Sequence, residues 1–261
     1  MGEWGDARNG GLTRTNFFPD EQRMSPWCHD GTFYGARTEC TQFFLHDCGA
    51  FANLFFLTRQ PRDLAADLAR LVDRLTHRRV IADVVGPDEI RVALVDSFLQ
   101  AGFQQVAELR RMGRCTPTES LPLESDASSA TEGDIPVIQH FFAHHFNAEV
   151  EQLPTEAELA HWISRDELLV RRERTGQLAG FVIFDLTPAS LYLRYWFVAP
   201  EARGTGVGGA LMRTMFVRAA KTKRQYLWVL SDNQAAIIRY QHYGFSFEAM
   251  KDCVMATGER R

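Results

Sequence analysis

The segment 197–211 constrains the fold more than any other stretch of the chain. An apolar run ends at Val198, Pro200 follows, and Arg203-Gly204-Thr205-Gly206-Val207-Gly208-Gly209 then leads into residues with helical apolar spacing. Glycines permit positive φ and let another molecule come close to the backbone. Free N–H groups at a helix N-terminus form a cradle for anions. Strand, tight loop and helix in that order belong to α/β folds, and they predict a phosphate or pyrophosphate held by the amides of residues 203–209. A P-loop would need Lys-Ser/Thr after the last glycine, where Gly209-Ala210 stands. A dinucleotide fold is kept open by Asp232 after the next strand. The Arg-x-x-Gly-x-Gly order, and the lack of further βα units, weigh against it.

The surrounding pattern supports two similar halves. In the second, 177–186 and 191–198 read as strands, and 207–220 reads as a helix with Leu211, Met215 and Ala219 on one face. A buried strand at 225–230, a helix at 233–243 ended by Gly244, and a strand at 246–255 complete it. In the first half, strand-like runs at 41–45 and 51–57 precede a helix whose Leu64, Leu68, Leu71, Val72 and Leu75 share a face. A β-branched strand at 80–85, a helix from Asp88 to Gly102 and a strand at 104–109 follow. Shifted so that Gly102 meets Gly244, Ala101-Gly102-Phe103-Gln104 overlies Tyr243-Gly244-Phe245-Ser246, and Phe98 overlies Tyr240. The matching order points to an internal duplication. Between the halves, 113–134 is dense in Ser, Thr, Pro, Glu and Asp and reads as a linker that can hold a short strand. The expected division is 1–115 with an irregular N-terminal arm of roughly 30 residues, a linker at 116–131, and a main domain at 132–261.

Taken together, Val198-x-Pro200, Arg203-x-x-Gly206-x-Gly208 and Asn233-x-x-Ala236-x-x-x-Tyr240-x-x-x-Gly244-Phe245 resemble the GNAT superfamily of acyl-CoA-dependent N-acyltransferases. The resemblance implies an α/β (α+β) fold: a GNAT mixed sheet flanked by helices, preceded by a smaller, degenerate GNAT-like domain. At the loop position that first copy reads Thr58-Arg59-Gln60-Pro61-Arg62, without glycine, and should not bind CoA in the same way. The implied co-substrate is acetyl-CoA, its pyrophosphate on Arg203, Gly204, Thr205, Gly206, Val207, Gly208 and Gly209. Its pantetheine arm would run beside Phe197 and Val198, between two splayed strands. Asn233 would hydrogen-bond the arm, the Val198 N–H would stabilise the oxyanion, and Tyr240 would protonate the departing thiolate. Asn233 and Tyr240 are two helical turns apart, on nearly one face. A phenol of pKa about 10 can donate to a thiolate whose conjugate acid is near 8.5.

No carboxylate stands on the strand 191–198 to act as base. A lysine amine, pKa about 10.4, needs one most, whereas an α-amine near 7.7–8.0 or a similar sugar amine is partly neutral already. The expected acceptor is therefore a low-pKa primary amine of a small molecule, an amino sugar or amino-acid-like compound. It would attack directly, without an acyl-enzyme. Glu149, Glu151 and Asp185 could contact such an amine, although acidic residues usually sit solvated. His140 and His144 have an i, i+4 spacing but complete no HExxH pattern, so surface or packing roles are favoured. Cys28-His29, Cys40 and His46-Asp47-Cys48 lack a known ligand spacing, and no metal is expected. Trp196 reads as core.

Composition excludes other classes. With 29 Lys+Arg against 33 Asp+Glu the formal net charge is -4, and both halves are nearly balanced, so no basic surface invites nucleic acid. Only Lys221, Lys223 and Lys251 are lysines; arginine carries almost all positive charge. The apolar runs are too short to span a bilayer, and the start resembles no signal peptide. Five cysteines without CxxC suit a reducing compartment. The expectation is a cytoplasmic monomer or homodimer, bound to neither membrane nor nucleic acid. Two alternatives remain: a related enzyme with another acyl donor or a protein acceptor, and a non-enzymatic module that senses CoA or an amine.

Overall fold

A computed structural model describes residues 14–16, 21–75, 78–116 and 127–258. In chain order its elements are β1 (Arg14–Thr15), α1 (Glu21–His29), β2 (Phe33–Arg37), β3 (Thr41–Asp47), β4 (Phe51–Thr58), α2 (Leu64–Arg74), β5 (Arg79–Gly86), α3 (Asp88–Gln100) and β6 (Phe103–Cys115). There follow β7 (Ser128–Ser129), α4 (Ile135–His145), α5 (Ala148–Glu151), α6 (Glu156–Ser164), β8 (Leu168–Arg172), β9 (Leu178–Leu186) and β10 (Ser190–Val198). The chain closes with α7 (Val207–Arg218), β11 (Arg224–Leu230), α8 (Gln234–His242) and β12 (Ser246–Thr257). It divides into two compact units, Met1–Leu109 with Ala249–Arg261, and Arg110–Glu248.

In the first unit β2, β3 and β4 are antiparallel, β4 and β5 parallel, and β5 pairs antiparallel with β12 from Lys251↔Gly86 to Ala256↔Ile81. The leucine stripe of α2 explains its burial: Leu64, Leu68, Leu71 and Val72 all join a core with Phe43, Phe56, Phe98 and Phe103. Each such side chain contributes about 1.5–3 kcal/mol on leaving water. Cys253 and Met255 of β12 belong to the same core.

The second unit repeats the arrangement. Strands β8, β9 and β10 are antiparallel, β10 and β11 parallel, β7 pairs with β8, and β6 lies next to β11. Leu211 and Met215 of α7 are buried with Phe181, Ile183, Leu191 and Leu193, and Ala219 beyond the helix end is buried with them. Gly102 (φ +88) and Gly244 (φ +82) end the corresponding helices α3 and α8 in the left-handed conformation.

The division differs from the expected one in a specific way. Each unit is completed by the strand that ends the other half of the sequence: β12 from residue 249 onward in the first, β6 from residue 110 onward in the second. Hence the strand expected to stop at residue 109 runs on to Cys115, and residues 249–258 leave the expected 132–261 domain. A Cβ on Gly113 within this strand would run into the Glu248 carboxylate, which would then have to move aside. Of the expected linker, 117–126 lies outside the described residues, while Ser128–Ser129 does form a short strand. The N-terminal arm is not wholly irregular: α1 packs Trp27 on His46 at 3.9 Å between ring centroids, and β1 pairs with β4. The strands β2 and β8 and the helix α6 had no expected counterpart. Among the described residues no helix is long and apolar enough to cross a membrane.

Candidate functional site

Strands β10 and β11 pair only from Ser190↔Arg224 to Leu193↔Leu227, although both continue further. The cause is local: the register of β10 against β9 shifts between Leu193 and Tyr195, and such a bulge bends a strand. Past it β10 stays with β9, and a gap opens toward β11. The backbone of Val198 faces that gap. Ala199 donates to the Ala179 carbonyl at 2.9 Å, and along an antiparallel strand the bonding groups of successive residues alternate sides. The Val198 N–H therefore points away from β9, as an oxyanion donor should.

The loop after β10 is built as a cradle. Gly204 (φ +79) and Gly206 (φ +90) take conformations that side chains disfavour, and a Cβ on either would meet nothing within 4 Å. Gly206 caps α7 without any side-chain hydrogen bond, and no acidic residue occupies the first turn. The helix begins bonding at Ala210, which donates to the Gly206 carbonyl, so Val207, Gly208 and Gly209 present amides with no acceptor within the helix. Gly208 answers a different need: a Cβ there would approach Trp196 Cζ2 to 2.9 Å and Val198 Cγ2 to 3.2 Å. It lets α7 lie against β10.

Three expected roles shift. The Arg203 and Thr205 amides bond to the Pro200 and Ala202 carbonyls, and the Thr205 hydroxyl donates to Ala202 at 2.6 Å, so these groups hold the loop's shape. The Arg203 side chain remains exposed, with Nε 3.4 Å from the Val198 carbonyl. Phe197 turns its ring to α4, with centroids 4.8 Å from Phe141 and 5.0 Å from His145, and is buried. Asn233 is the N-cap of α8, its Oδ1 accepting from the Ala236 N–H at 3.1 Å, which leaves only its Nδ2 for another partner.

Tyr240 is 9 % exposed, with its ring against Trp196 (5.7 Å) and Phe245 (6.2 Å). Burial pushes its phenol well above the usual value; Arg239 opposes the shift and the Glu151 charge adds to it. The phenol thus keeps its proton at all ordinary pH. Trp196, expected only as core, lies between this ring and Gly208, and its buried indole N–H has no acceptor among the described residues.

Glu151 is the acidic residue that gains most from the fold. It ends the short helix α5, capped by Asn147, whose backbone N–H donates to Glu151 Oε2 at 2.8 Å. The Tyr195 hydroxyl, three residues before Val198, bonds to the carbonyls of Glu151 (3.0 Å) and Gln152 (2.8 Å) and ties this turn to the bent part of β10. Burial pushes the Glu151 carboxyl above its usual value. Asp185, by contrast, is committed: it accepts from Trp162 Nε1 at 2.7 Å and Arg194 Nε at 2.6 Å. Glu149 is half-buried, its backbone N–H donating to Asn147 Oδ1 at 3.0 Å, and His144 Nδ1 lies 2.8 Å from the His140 carbonyl one turn back. Among the described residues no three His, Cys, Asp or Glu side chains are grouped to hold a metal.

In the first unit, the position that corresponds to the glycine loop carries a helical turn, Pro61–Asp63, with Asp63 capping α2 and Asp67 in its first turn. Carboxylates there oppose a phosphate.

Comparison with known proteins agrees with this geometry. The profile of the Acetyltransferase (GNAT) family matches residues 136–245. A spermine/spermidine N(1)-acetyltransferase of Bacillus subtilis (strain 168) is 30% identical over 88 residues, 30% of this chain and 58% of that protein. The chain thus spans somewhat over half the length of the relatives it matches. Among solved structures, a GCN5-related N-acetyltransferase from Sphaerobacter thermophilus superposes with a TM-score of 0.58 at 14% identity, over 96% of both chains. A tandem GNAT protein from the clavulanic acid biosynthesis pathway gives 0.55 at 16% identity, over 86% of this chain and 81% of that one. At these identities the likeness establishes the fold.

Proposed function

We propose, from the match of residues 136–245 to the GNAT acetyltransferase family, that the chain moves an acetyl group from acetyl-CoA to a primary amine of a small molecule. The observation that carries the reading is the open amide cradle at the start of α7, directly after the stretch of β10 that parts from β11; the Tyr240 hydroxyl would act at that gap. The amides of Gly204 and Gly206–Gly209 would hold the pyrophosphate, with the Arg203 guanidinium free to assist. Asn233 Nδ2 and the unpaired Trp196 Nε1 are donors for the amide-bearing arm. The Val198 N–H would receive the negative charge that develops on the acetyl oxygen.

The proton balance assigns the acidic residues. Glu151 takes one proton from the ammonium, directly or through water. The freed lone pair attacks the acetyl carbon, the N–C bond forms, and the C–S bond breaks with its electron pair on sulfur. Tyr240 protonates that thiolate and is restored by the second proton shed from nitrogen. A base supplied by α5 removes the restriction to low-pKa amines. Polyamines, the substrates named for the Bacillus relative, then stand beside amino sugars and amino acids as acceptors.

The test is thiol release from acetyl-CoA with glucosamine, an α-amino acid, spermidine and a lysine peptide, for wild type and Glu151→Gln. At least one small amine should react 10-fold or more faster than the peptide. Glu151→Gln keeps an acceptor for the Asn147 N–H, so it should fold but lose roughly 10²-fold in rate. The wild-type loss of rate toward acid pH should vanish with it. Faster transfer to the peptide would make this a protein acetyltransferase. CoA binding without any transfer would make it a sensor.

A further inference from the structure

A second site, remote in sequence from the glycine loop, is built into the first unit. A cavity of about 320 Å³ opens between the end of β2 and the second half of α2. Phe43 from β3 and Leu71 from α2 lie at its base, both buried; its lining also carries Arg37, Arg70 and Arg74, with Glu39 the sole acidic residue among the lining side chains. Behind one wall lies Asp67, only 3% exposed. Its carboxylate accepts from the Thr38 hydroxyl at 2.8 Å and from Arg70 Nη1 at 3.2 Å, so one buried charge fixes both a guanidinium and the turn facing it.

The remaining charges are unbalanced. Arg70 and Arg74 stand four residues apart on α2, a spacing at which like charges oppose each other. Arg37 adds a third guanidinium from the opposite wall. Among the described residues neither Arg37 nor Arg74 has a carboxylate partner. Arg74 also lies in the last turn of α2, where the helix dipole favours a cation, but that explains one arginine of three. A guanidinium presents paired N–H groups that match carboxylate and phosphate oxygens. The volume is at the small end of the range for organic ligands.

We propose that this cavity binds a small organic anion, with the phosphate or carboxylate group held by Arg37, Arg70 and Arg74 and an apolar body against Ala36, the edge of Leu71 and the arginine stems. The site is independent of acetyl transfer, since no residue of the loop, the gap or α8 takes part.

Calorimetric titration of the full chain with phenyl phosphate, benzoate, inorganic phosphate and phenol tests it. Phenyl phosphate or benzoate should bind, the tighter of the two identifying the preferred head group, and phenol should bind at least 10-fold more weakly. Arg37→Ala and Arg74→Ala should each weaken the anion by about 10-fold or more, and Arg74→Lys by less. Both arginines are exposed, so these variants should melt as the wild type does. The proposal is overturned if neither aryl anion binds, if phenol binds equally well, or if both alanine variants bind as wild type. It is equally overturned if CoA displaces the probe, which would place the anion on the glycine loop.

Discussion

A phenol that is to protonate a thiolate must hold its proton until the C–S bond breaks. Tyr240, enclosed by Trp196 and Phe245, is held in that state by its surroundings. Tyr240→Phe keeps the ring packing and removes only the hydroxyl. It should lower turnover by about 10²-fold while CoA affinity, measured by calorimetry, stays nearly unchanged; undiminished turnover would remove Tyr240 from the reaction. Much at this scale was legible. The glycines had to be glycine for reasons of backbone angle and close approach, and those reasons are local. The side chains that the fold brings together were not. Glu151 reads in sequence like any solvated acid, because its partial burial comes from the fold, in which Tyr195 of another element holds the backbone of its turn. Asn233 was assigned to a ligand, yet one of its two polar atoms serves its own helix.

Among the elements, α4 illustrates how a helix start is fixed. Thr131 and Asp134 form a reciprocal cap, the Asp134 carboxylate accepting from the Thr131 N–H at 2.9 Å and pairing with Arg172 of β8. Burial alone would raise the Asp134 pKa, but the Thr131 bonds and the Arg172 charge outweigh it and hold it below the usual value. A carboxylate lowered in the folded state stabilises the protein fully above its unfolded pKa, near 3.8–3.9, and that stability is lost as pH falls through the folded pKa. Asp134→Ala should thus lower unfolding free energy by about 1–3 kcal/mol at pH 7, and the difference should shrink below pH 4, as followed by urea melts. Elements with strong periodicity, such as α2 and α7, were readable. The strand β2 was not, because its residues alternate poorly between buried and exposed and Gly35 interrupts them. The short β8 has three buried residues in a row and hence no period to detect.

At the scale of the whole molecule, the exchange of final strands is the feature sequence could not reveal. Strands β6 and β12 each follow a helix ending in Gly-Phe, so the pattern offers two equivalent partner strands and no means of choosing. The choice has a testable consequence. Cutting the chain after Glu248 removes the partner of residues 81–86 and takes Cys253 and Met255 from the first core. That truncation should destroy the first unit as well as the end of the second, seen as loss of cooperative melting in circular dichroism. A chain cut at the expected boundary, 132–261 alone, should fare no better, since it lacks residues 110–115 of β6.

The same exchange sets a timetable for biosynthesis. The edge of β5 is complete when Gly86 has been made, but the strand that covers it ends at Thr257, 171 residues later (257 − 86). At about 5–20 residues per second, the ribosome takes roughly 10–30 s to bridge that interval. Throughout it the nascent first unit carries an uncovered strand edge, a template for pairing with the wrong chain. The unit that starts to fold first is therefore completed by a strand made long after it.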